Sequence, residues 1–349
     1  QLGASHAPSQ AAEAAVRDGE AAAASLLGAS REETVLGPST TANLQRIARA
    51  LGPRMRADDE IVVTNLDHES NIGCWRNLAR ARQLPLHEWK LRPGTASLEL
   101  DDLRPLLNPR TRVVAFTHCA NVVGAILDVP SIVAAIRERC PRAIVMVDGV
   151  ALAPHRQVDV RAWDVDLYAV SLYKVYGPHI AALYGRESLL RDAEGQNHGF
   201  ISDDDLPYKF QPGGVTHELA AGVAGITDYL DTIAGHLGAT DSDARARHRR
   251  VFDAIASHEA TLAARLIEGL HRHPSVRVVG PDSPDPDIRV PTIAFTVKGR
   301  SASSIPPALD EHEVAIRYGH FYAERAIEAL GLADGDGVVR VSMVHYNAL

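Results

Sequence analysis

The chain has 349 residues, of which 46% are apolar, so it is long enough to bury a full core and to form two domains. Its net charge of -8 is spread without a basic stripe, which excludes the phosphate-neutralising surface typical of nucleic-acid-binding proteins. The run "RARHRR" at residues 245–250 is interpreted as the solvated face of a helix.

Cysteine usage and hydropathy indicate a cytoplasmic protein. Cys74, Cys119 and Cys140 are odd in number and widely spaced, so they form neither a disulfide framework nor a CxxC pair. No stretch reaches the ~18 apolar residues of a membrane span. The opening "QLGASHAPSQ" lacks the basic start and apolar core of a secretion signal. We therefore expect a protein that neither enters a membrane nor is secreted.

In chain order, an Ala-rich helix is predicted over residues 9–28, because a serine begins it and a glycine ends it. The turn "GPSTTANLQ" (37–45) leads into a second helix. Short apolar runs then alternate with helical patterns: "EIVVTNL" before "IGCWRNLARARQ", "RVVAFTH" before "SIVAAIRERC", then "AIVMVDG" and "LYAVSLY". Such runs are typical of parallel strands buried on both faces, and they predict a doubly wound, mostly parallel α/β domain over residues 1–230.

The pattern changes in the last third of the chain. A helical stretch continues to about residue 270, and the strand-like "VRVVG", "TIAFTV", "VAIRYG" and "VVRVSMVHYN" follow it. They are interleaved with the helical "SIPPALDEH" and "YAERAIEALG". We therefore predict a smaller α+β domain over residues 231–349, joined to the first by a helix.

Four polar residues follow apolar runs of the predicted large sheet: His68, Asn121, Asp148 and Lys174. Ligands of open α/β sheets bind outside the carboxyl ends of the strands, so these residues are the first candidates for a site. A lysine is unusual there, because lysines are mostly solvated surface groups.

A fifth candidate is the turn that carries Ser39, Thr40 and Thr41. It precedes a helix whose free N–H groups and dipole would hold an anion such as phosphate. Plain N-capping is the alternative interpretation. The nucleotide-binding patterns GxGxxG and GxxxxGK[ST] are absent, so a nucleotide is not indicated.

Together these residues favour pyridoxal phosphate. This cofactor needs a lysine for its Schiff base, an acid beside its pyridine nitrogen and an anion site for its phosphate. Taken singly, Asp148 fits a turn residue and Lys174 fits a lysine that emerges into solvent. The joint occurrence of both with the hydroxyl turn favours the cofactor.

Other site chemistries fail on spacing. In "HELAAG" (217–222), Ala221 stands where the zinc motif HExxH needs its second histidine. No GxSxG elbow offers a serine nucleophile. The 16 histidines are scattered, so no metal site is predicted.

The stretches "NLDHESNIGCW", "FTHCANVVGAI", "VDGVALAPHRQVDV" and "SLYKVYGPHIAALYG" resemble the class V aminotransferase superfamily, most closely its cysteine-desulfurase-like branch. The resemblance covers nearly the whole chain and keeps motif order and spacing. It implies a fold-type I pyridoxal phosphate enzyme, a homodimer with shared active sites, and an amino-acid substrate. It also implies that this chain lacks family segments before "GASH" and after "HYN".

The resemblance implies three catalytic residues. Lys174 would form the Schiff base, Asp148 would pair with the pyridine nitrogen and His68 would stack on the cofactor ring. Asn121 would contact the ring's phenolic oxygen. The phosphate would be held by a group of hydroxyls: Ser39, Thr40, Thr41 and Ser171.

The substrate side of the site follows from the same resemblance. Arg340 would grip the substrate carboxylate, a bidentate task that the point charge of a lysine does not copy. Further substrate contacts are predicted for Asn71, Arg317, His320 and Tyr322. The last three also fit ordinary packing of the small domain.

Departures from the family pattern concern the reaction. Cysteine desulfurases carry a catalytic cysteine on a mobile loop, and Tyr322 stands at that place in "AIRYGHFYAERA". We therefore expect no persulfide-forming desulfuration. Tyr173 replaces a histidine beside the lysine, and Ala151 replaces a glutamine. In "QPGGVTHE", Gly213 and Gly214 would use backbone N–H groups to reach the partner subunit's phosphate.

The leading hypothesis is a C–S β-lyase that acts on cysteine or a cysteine S-conjugate. Transamination or oxidative deamination, and epimerisation as in isopenicillin N epimerase, are alternatives within the same family. A non-catalytic binding protein with this fold is an alternative of another class, and the retained lysine, aspartate and arginine disfavour it.

Overall fold

The computed structural model describes residues 3–349. In this part of the chain there are eleven strands. They are β1 Thr34–Gly37, β2 Glu60–Thr64, β3 Leu86–Trp89, β4 Thr111–Thr117, β5 Ile144–Asp148, β6 Leu167–Ser171, β7 Ala181–Gly185, β8 Val276–Val279, β9 Thr292–Val297, β10 Arg317–Gly319 and β11 Val338–Ser342.

The α-helices of the same residues alternate with these strands. They are α1 Ala7–Leu27, α2 Thr40–Leu51, α3 Glu69–Arg82, α4 Leu100–Leu103, α5 Val129–Arg139, α6 Glu187–Asp192, α7 His217–Gly222, α8 Ala224–His236, α9 Ala244–His271, α10 Ile305–Asp310 and α11 Glu324–Ala329. None of the described helices is long and apolar enough to cross a membrane.

Local sequence explains where the first helices begin and end. In α1 the His6 side chain accepts a hydrogen bond from Ser9 N, and Gly28 ends the helix in the left-handed conformation. In α2, Ser39 is the N-cap and its hydroxyl accepts from Ala42 N at 3.1 Å. The capping interpretation of Ser39 is therefore correct as far as the helix is concerned.

The chain divides into two compact units. The first consists of Gln1–Asp59, Asn77–Leu84 and Ile144–Asp253, and the second of Glu60–Arg76, Pro85–Ala143 and Ala254–Leu349. This division differs from the predicted boundary between residues 230 and 231, which stays a prediction.

The first unit contains four neighbouring strands in the order β1-β7-β6-β5. β5 and β6 are parallel, with Asp148 opposite Ala169, whereas β6–β7 and β7–β1 are antiparallel. All residues of these four strands are buried. The parallel pair brings the carboxyl ends of β5 and β6 to one edge.

The second unit contains strands in the order β4-β2-β3, and both pairings are parallel. It also contains an antiparallel sheet in the order β10-β11-β9-β8. One hydrophobic cluster of this unit joins Leu66 and Val122 to Ala326 and Val338. Residues that follow β2 and β4 are thereby packed with β11 and α11.

The predicted strands of the large sheet are confirmed, but three strands were missed. "TVLG", "LHEW" and "AALYG" form β1, β3 and β7. β1 and β3 have four residues each, and β3 is mostly half-buried, so neither gives a long apolar run. The antiparallel pairings of β7 with β1 and β6 were not predicted either, because an apolar run does not show in which direction a strand crosses the sheet.

Candidate active site

Lys174 and Asp148 lie at the edge where the parallel strands β5 and β6 end. Asp148 is the last residue of β5 and is 5% exposed. Lys174 is exposed and lies three residues beyond β6, at the end of the 3-10 turn Leu172–Lys174. Within residues 3–349, its amine makes no hydrogen bond or ion pair. The lysine is thus presented on a turn rather than held inside the strand.

Burial is the main influence on the charge state of Asp148. Burial raises the pKa of its carboxyl, while a hydrogen bond from Val150 N at 2.9 Å and the positive charge of Lys174 oppose that rise. The carboxyl is therefore poised to gain from a further positive charge nearby.

Two of the predicted phosphate-binding hydroxyls meet directly. Thr40 Oγ1 lies 2.8 Å from Ser171 Oγ, and both residues are buried. Thr40 begins α2, Ser171 ends β6, and Ser39 caps the same helix. Thr41 is exposed on that first turn. We call Ser39, Thr40, Asp148, Ser171 and Lys174 the lysine cluster.

Tyr173, which directly precedes Lys174, and the turn with Gly213 and Gly214 are the remaining positions of this unit that were predicted to bind the cofactor. The Tyr173 ring is 40% exposed and stacks on the imidazole of His179, with centroids 4.4 Å apart. Gly213 and Gly214 have φ values of 77° and 80°, and a Cβ at either position would meet open space. Their predicted contacts with the cofactor stay predictions.

In the second unit, His68 and Asn71 lie around the start of α3. His68 is half-buried, and its Nδ1 accepts from Ser70 N at 3.1 Å. Asn71 is fully buried, and its Nδ2 donates to Asp67 Oδ1 at 2.7 Å. The Asn71 Oδ1 atom is buried and, among the described residues, has no hydrogen-bond partner.

Asn121 and Arg340 contact each other, and both contact Phe321 in the loop that follows β10. Asn121 Nδ2 donates to Phe321 O at 2.8 Å, and Arg340 Nη1 donates to Asn121 O at 2.8 Å. The Arg340 guanidinium lies over the Phe321 ring, 3.8 Å from its centroid. Burial, and then the charge of Arg317, lower the pKa of Arg340 to about 10, so the side chain stays charged at neutral pH.

Arg317 lies on β10 directly opposite Arg340 on β11. Its guanidinium also lies over the Phe321 ring, 6.0 Å from the centroid. We call Asn121, Arg317, Phe321 and Arg340 the arginine cluster. It unites three predicted site positions with Phe321, a residue that was not predicted.

The loop at 320–323 is anchored at several atoms. Tyr322 O accepts from Glu69 N at 2.7 Å, and Tyr322 N donates to His320 Nδ1 at 3.1 Å. The Tyr322 ring is 68% exposed and lies 5.2 Å from the His68 ring. Phe321 and Tyr322 both have positive φ, 50° and 61°, which is an unfavourable conformation for large side chains. These contacts offset that strain and place Tyr322 beside His68.

Arg289 is a second residue that sequence reasoning missed. It is 1% exposed and donates to the carbonyls of Val290, Thr292 and Val123, and also to Pro281 O. Nearby, Gly124 has φ 72°, and a Cβ there would lie 2.3 Å from Thr292 O. Arg289 thus ties the segment after Asn121 to β9. A lone arginine in the sequence gives no signal of such a role.

The described cysteines are all buried. Cys74, Cys119 and Cys140 are at most 6% exposed and form no disulfide. Burial raises the pKa of the Cys140 thiol, which disfavours the reactive thiolate. The described residues also contain no group of three or more His, Cys, Asp or Glu side chains that could hold a metal ion.

The residues present fit pyridoxal phosphate. The lysine cluster offers an amine without a hydrogen bond among the described residues, a buried carboxyl and two hydroxyls at the start of α2. The arginine cluster offers two buried polar atoms that lack partners in the described part of the chain, Asn121 Oδ1 and Arg340 Nε. Such atoms are expected where a polar ligand completes the hydrogen bonding.

Comparison with protein families and curated proteins gives a consistent result. The family model for aminotransferase class-V matches residues 3–349. The chain is 39% identical over 352 residues to the aminotransferase-like protein FGM3 of Gibberella zeae, covering 100% of this chain and 83% of that protein. It is 34% identical over 335 residues to the cysteine desulfurase-like protein ustD of Aspergillus flavus, covering 93% and 72%.

Solved structures give the same result for the fold. An apo structure of a cysteine desulfurase from Thermococcus onnurineus matches with a TM-score of 0.86 and 26% identity, covering 100% of this chain and 84% of that one. The Escherichia coli cysteine desulfurase CsdA matches with a TM-score of 0.82 and 26% identity, covering 99% and 83%. The predicted fold class is therefore confirmed.

Proposed function

Since the chain belongs to the class V aminotransferase family, whose members depend on pyridoxal phosphate, we propose that it binds this cofactor and acts as a C–S β-lyase. Its substrate is cysteine or a cysteine S-conjugate. The observation that carries the cofactor assignment is that an exposed lysine, Lys174, and a buried carboxyl, Asp148, lie at the same edge of the sheet, where β6 and β5 end. The hydrogen-bonded hydroxyls of Thr40 and Ser171 belong to the same cluster.

Each residue of the lysine cluster has a role in this proposal. Lys174 Nζ binds the cofactor and, when free, takes the proton from the substrate Cα. Asp148 holds the proton on the pyridine nitrogen, and that positive charge in turn stabilises its buried carboxylate. Ser39, Thr40 and Ser171 hold the phosphate at the start of α2. When bound, pyridoxal phosphate supplies the electron sink that makes the Cα proton acidic.

The arginine cluster, His68 and Tyr322 are assigned to substrate binding and orientation in this proposal. Arg340 holds the α-carboxylate with its planar guanidinium, which Phe321 and Asn121 O keep in place. His68 would cover the cofactor ring, and the Asn121 amide would contact its phenolic oxygen. Tyr322 lies beside His68 and forms a wall of the substrate pocket.

The proposed reaction is a β-elimination. The Cα–H and Cβ–S bonds break, and sulfur keeps the electron pair of the latter and gains a proton. One S-substituted cysteine and one water thereby give a thiol, pyruvate and ammonia. The β-lyase proposal is supported by relatives that are named for cysteine chemistry, and by Tyr322 at the position of the family's loop cysteine. Since the described thiols are buried, we propose that no persulfide forms on the protein.

The cofactor assignment is tested by colour. We expect purified protein supplied with pyridoxal phosphate to absorb visible light, and borohydride to abolish that band. Lys174→Ala should lose the borohydride-stable attachment to the protein, whereas Lys298→Ala, which removes an exposed lysine directly after β9, should retain it. A wild type that is colourless after incubation with the cofactor and removal of the unbound excess contradicts the assignment and favours a non-catalytic binding protein.

The reaction is tested with cysteine and a series of S-substituted cysteines. Pyruvate and free thiol in equal amounts, with no sulfur left on the protein, are the expected products. A keto acid that retains its sulfur indicates transamination, and solvent deuterium at Cα of unconsumed, racemised substrate indicates epimerisation. Either result without pyruvate contradicts the β-lyase proposal but leaves the cofactor assignment intact.

A further inference from the structure

Two arginines of the arginine cluster repel each other. Arg317 and Arg340 are directly opposite on the antiparallel pair β10–β11, so their side chains leave the same face of the sheet. Both guanidinium groups lie over the Phe321 ring, at 6.0 and 3.8 Å from its centroid. Like charges in this arrangement destabilise a sheet. The Phe321 ring offsets part of the repulsion through its negative face.

No carboxylate neutralises this pair. Among residues 3–349, neither Arg317 nor Arg340 forms an ion pair, although nearby Arg325 pairs with Glu69 at 3.4 Å. The acidic Glu324, Glu328 and Asp336 line the same open groove as Arg317, but none is within ion-pairing distance of it. Arg317 thus lines a groove that a ligand can enter, and the neighbouring Arg340 has a buried Nε without a partner among the described residues.

We propose that the substrate carries two negative groups, an α-carboxylate bound by Arg340 and a second anion on its side chain bound by Arg317. This inference rests on the proposed function, because it assigns Arg340 to the α-carboxylate. The second anion is a carboxylate, sulfinate or sulfonate group, since a planar guanidinium donates two hydrogen bonds to such oxygens. The substrate class narrows to cysteine derivatives whose sulfur carries an acidic substituent.

Position and exposure favour Arg317 for the side-chain group. Arg340 is half-buried and donates to Asn121 O, which fixes it beside a predicted cofactor contact. Arg317 is exposed and lines the groove, and its side chain makes no hydrogen bond to the described residues. The two guanidinium groups lie over the same Phe321 ring, so the distance between their central carbons cannot exceed the sum of their distances to its centroid. A short dicarboxylate is long enough to place one carboxylate at each guanidinium group.

The test compares binding of succinate and butyrate to the holoenzyme by calorimetry. These probes have the same chain length and differ by one carboxylate, and their binding requires no turnover. We expect succinate to bind at least about tenfold more tightly, because its second carboxylate forms a charge-assisted hydrogen bond that butyrate lacks. Arg317→Gln should abolish that preference and leave butyrate affinity within about twofold, whereas Arg340→Gln should weaken both probes.

Arg277→Gln is the matched control, since Arg277 is an exposed arginine on β8 of the same sheet and lies opposite Thr296. It should leave both affinities unchanged. Arg317→Lys keeps the positive charge but removes the planar guanidinium that donates two hydrogen bonds, so it should retain part of the preference for succinate. This variant also provides a test if Arg317→Gln does not fold. Equal affinities for the two probes, or a preference that survives Arg317→Gln, overturn the inference.

The inference and the β-lyase proposal fail separately. If S-carboxymethylcysteine and S-ethylcysteine both give no pyruvate while succinate binding still depends on Arg317, the dianion site stands and the reaction is wrong. If both are cleaved with equal KM, and Arg317→Gln changes neither, the reaction stands and the second anion site is wrong. The expected result is a KM about tenfold lower for the carboxymethyl compound, lost in Arg317→Gln.

Discussion

At the scale of single residues, Asp148 is the group whose charge state most affects both stability and cofactor binding. Burial raises the pKa of its carboxyl in the folded protein above the ordinary value. A group of this kind stabilises the fold below its unfolded pKa, and that stabilisation is lost as pH rises through the folded pKa. Charging this buried carboxyl is therefore unfavourable in the apo protein, and the protonated nitrogen of the proposed cofactor would offset that cost.

We predict that Asp148→Asn changes apo stability and cofactor affinity in opposite directions. Relative to this variant, the apo wild type should lose stability as pH rises from about 4 towards neutrality, by about 1.4 kcal/mol for each pH unit by which the pKa is raised. Urea unfolding of both apo proteins across that range measures the difference. The same variant should bind pyridoxal phosphate more weakly, by about tenfold or more.

The exposed Asp253 on α9 provides the control, as Asp253→Asn. Its stability should follow that of the wild type at every pH. If wild type and Asp148→Asn show parallel stability profiles, or if the variant retains full affinity for the cofactor, then Asp148 is not the partner of the pyridine nitrogen.

Residues at strand ends were predictable from the sequence because a strand's end is set by a local pattern. This reasoning found Asp148 at the end of β5, and Lys174 only three residues after β6. It did not find Phe321, whose contact with Arg340 depends on the pairing of β10 with β11. Nor did it find Arg289, because two of its four carbonyl acceptors, Val123 O and Pro281 O, come near it only in the folded chain.

At the scale of elements, two glycines that look alike in sequence differ in conformation. Gly214 has φ 80° in an open turn, whereas Gly225 lies in α8, and a Cβ would meet nothing within 4 Å at either position. Differences between their alanine variants therefore report backbone conformation rather than clashes.

We predict that Gly214→Ala lowers the free energy of unfolding by about 1–2 kcal/mol, because a side chain disfavours the left-handed region. Gly225→Ala should raise it by about 0.5–1 kcal/mol, because alanine is the better helix former. Chemical denaturation of both variants provides the comparison. Equal effects of the two substitutions would indicate that the turn at 211–214 does not hold its left-handed conformation in solution.

The elements themselves were predictable to the extent that they show long apolar or helical periods. β2, β4, β5 and β6 are such runs and were found. β7, the "AALYG" of "SLYKVYGPHIAALYG", was not predicted as a strand, because its alanines and glycine have little preference for strands. Its antiparallel pairing with β6 follows from the turn after Lys174 rather than from the strand residues.

At the scale of the whole molecule, we predict a homodimer in solution. The family resemblance implies one, and Phe200, with 84% of its surface exposed, is a side chain that an interface could cover. Sedimentation equilibrium should give twice the chain mass of 37.6 kDa at micromolar concentration. Phe200→Ser should weaken the association if that side chain is part of the interface, and a monomer at all concentrations would contradict the prediction.

The interleaved division of the chain bears on how the protein can be dissected. The backbone passes between the two units five times, after Asp59, Arg76, Leu84, Ala143 and Asp253. A single cut at any point therefore yields fragments that each hold only part of at least one unit. Neither unit is encoded by one contiguous stretch of the gene. A single crossover between the genes of two relatives would therefore give a protein in which at least one unit combines strands from both parent proteins.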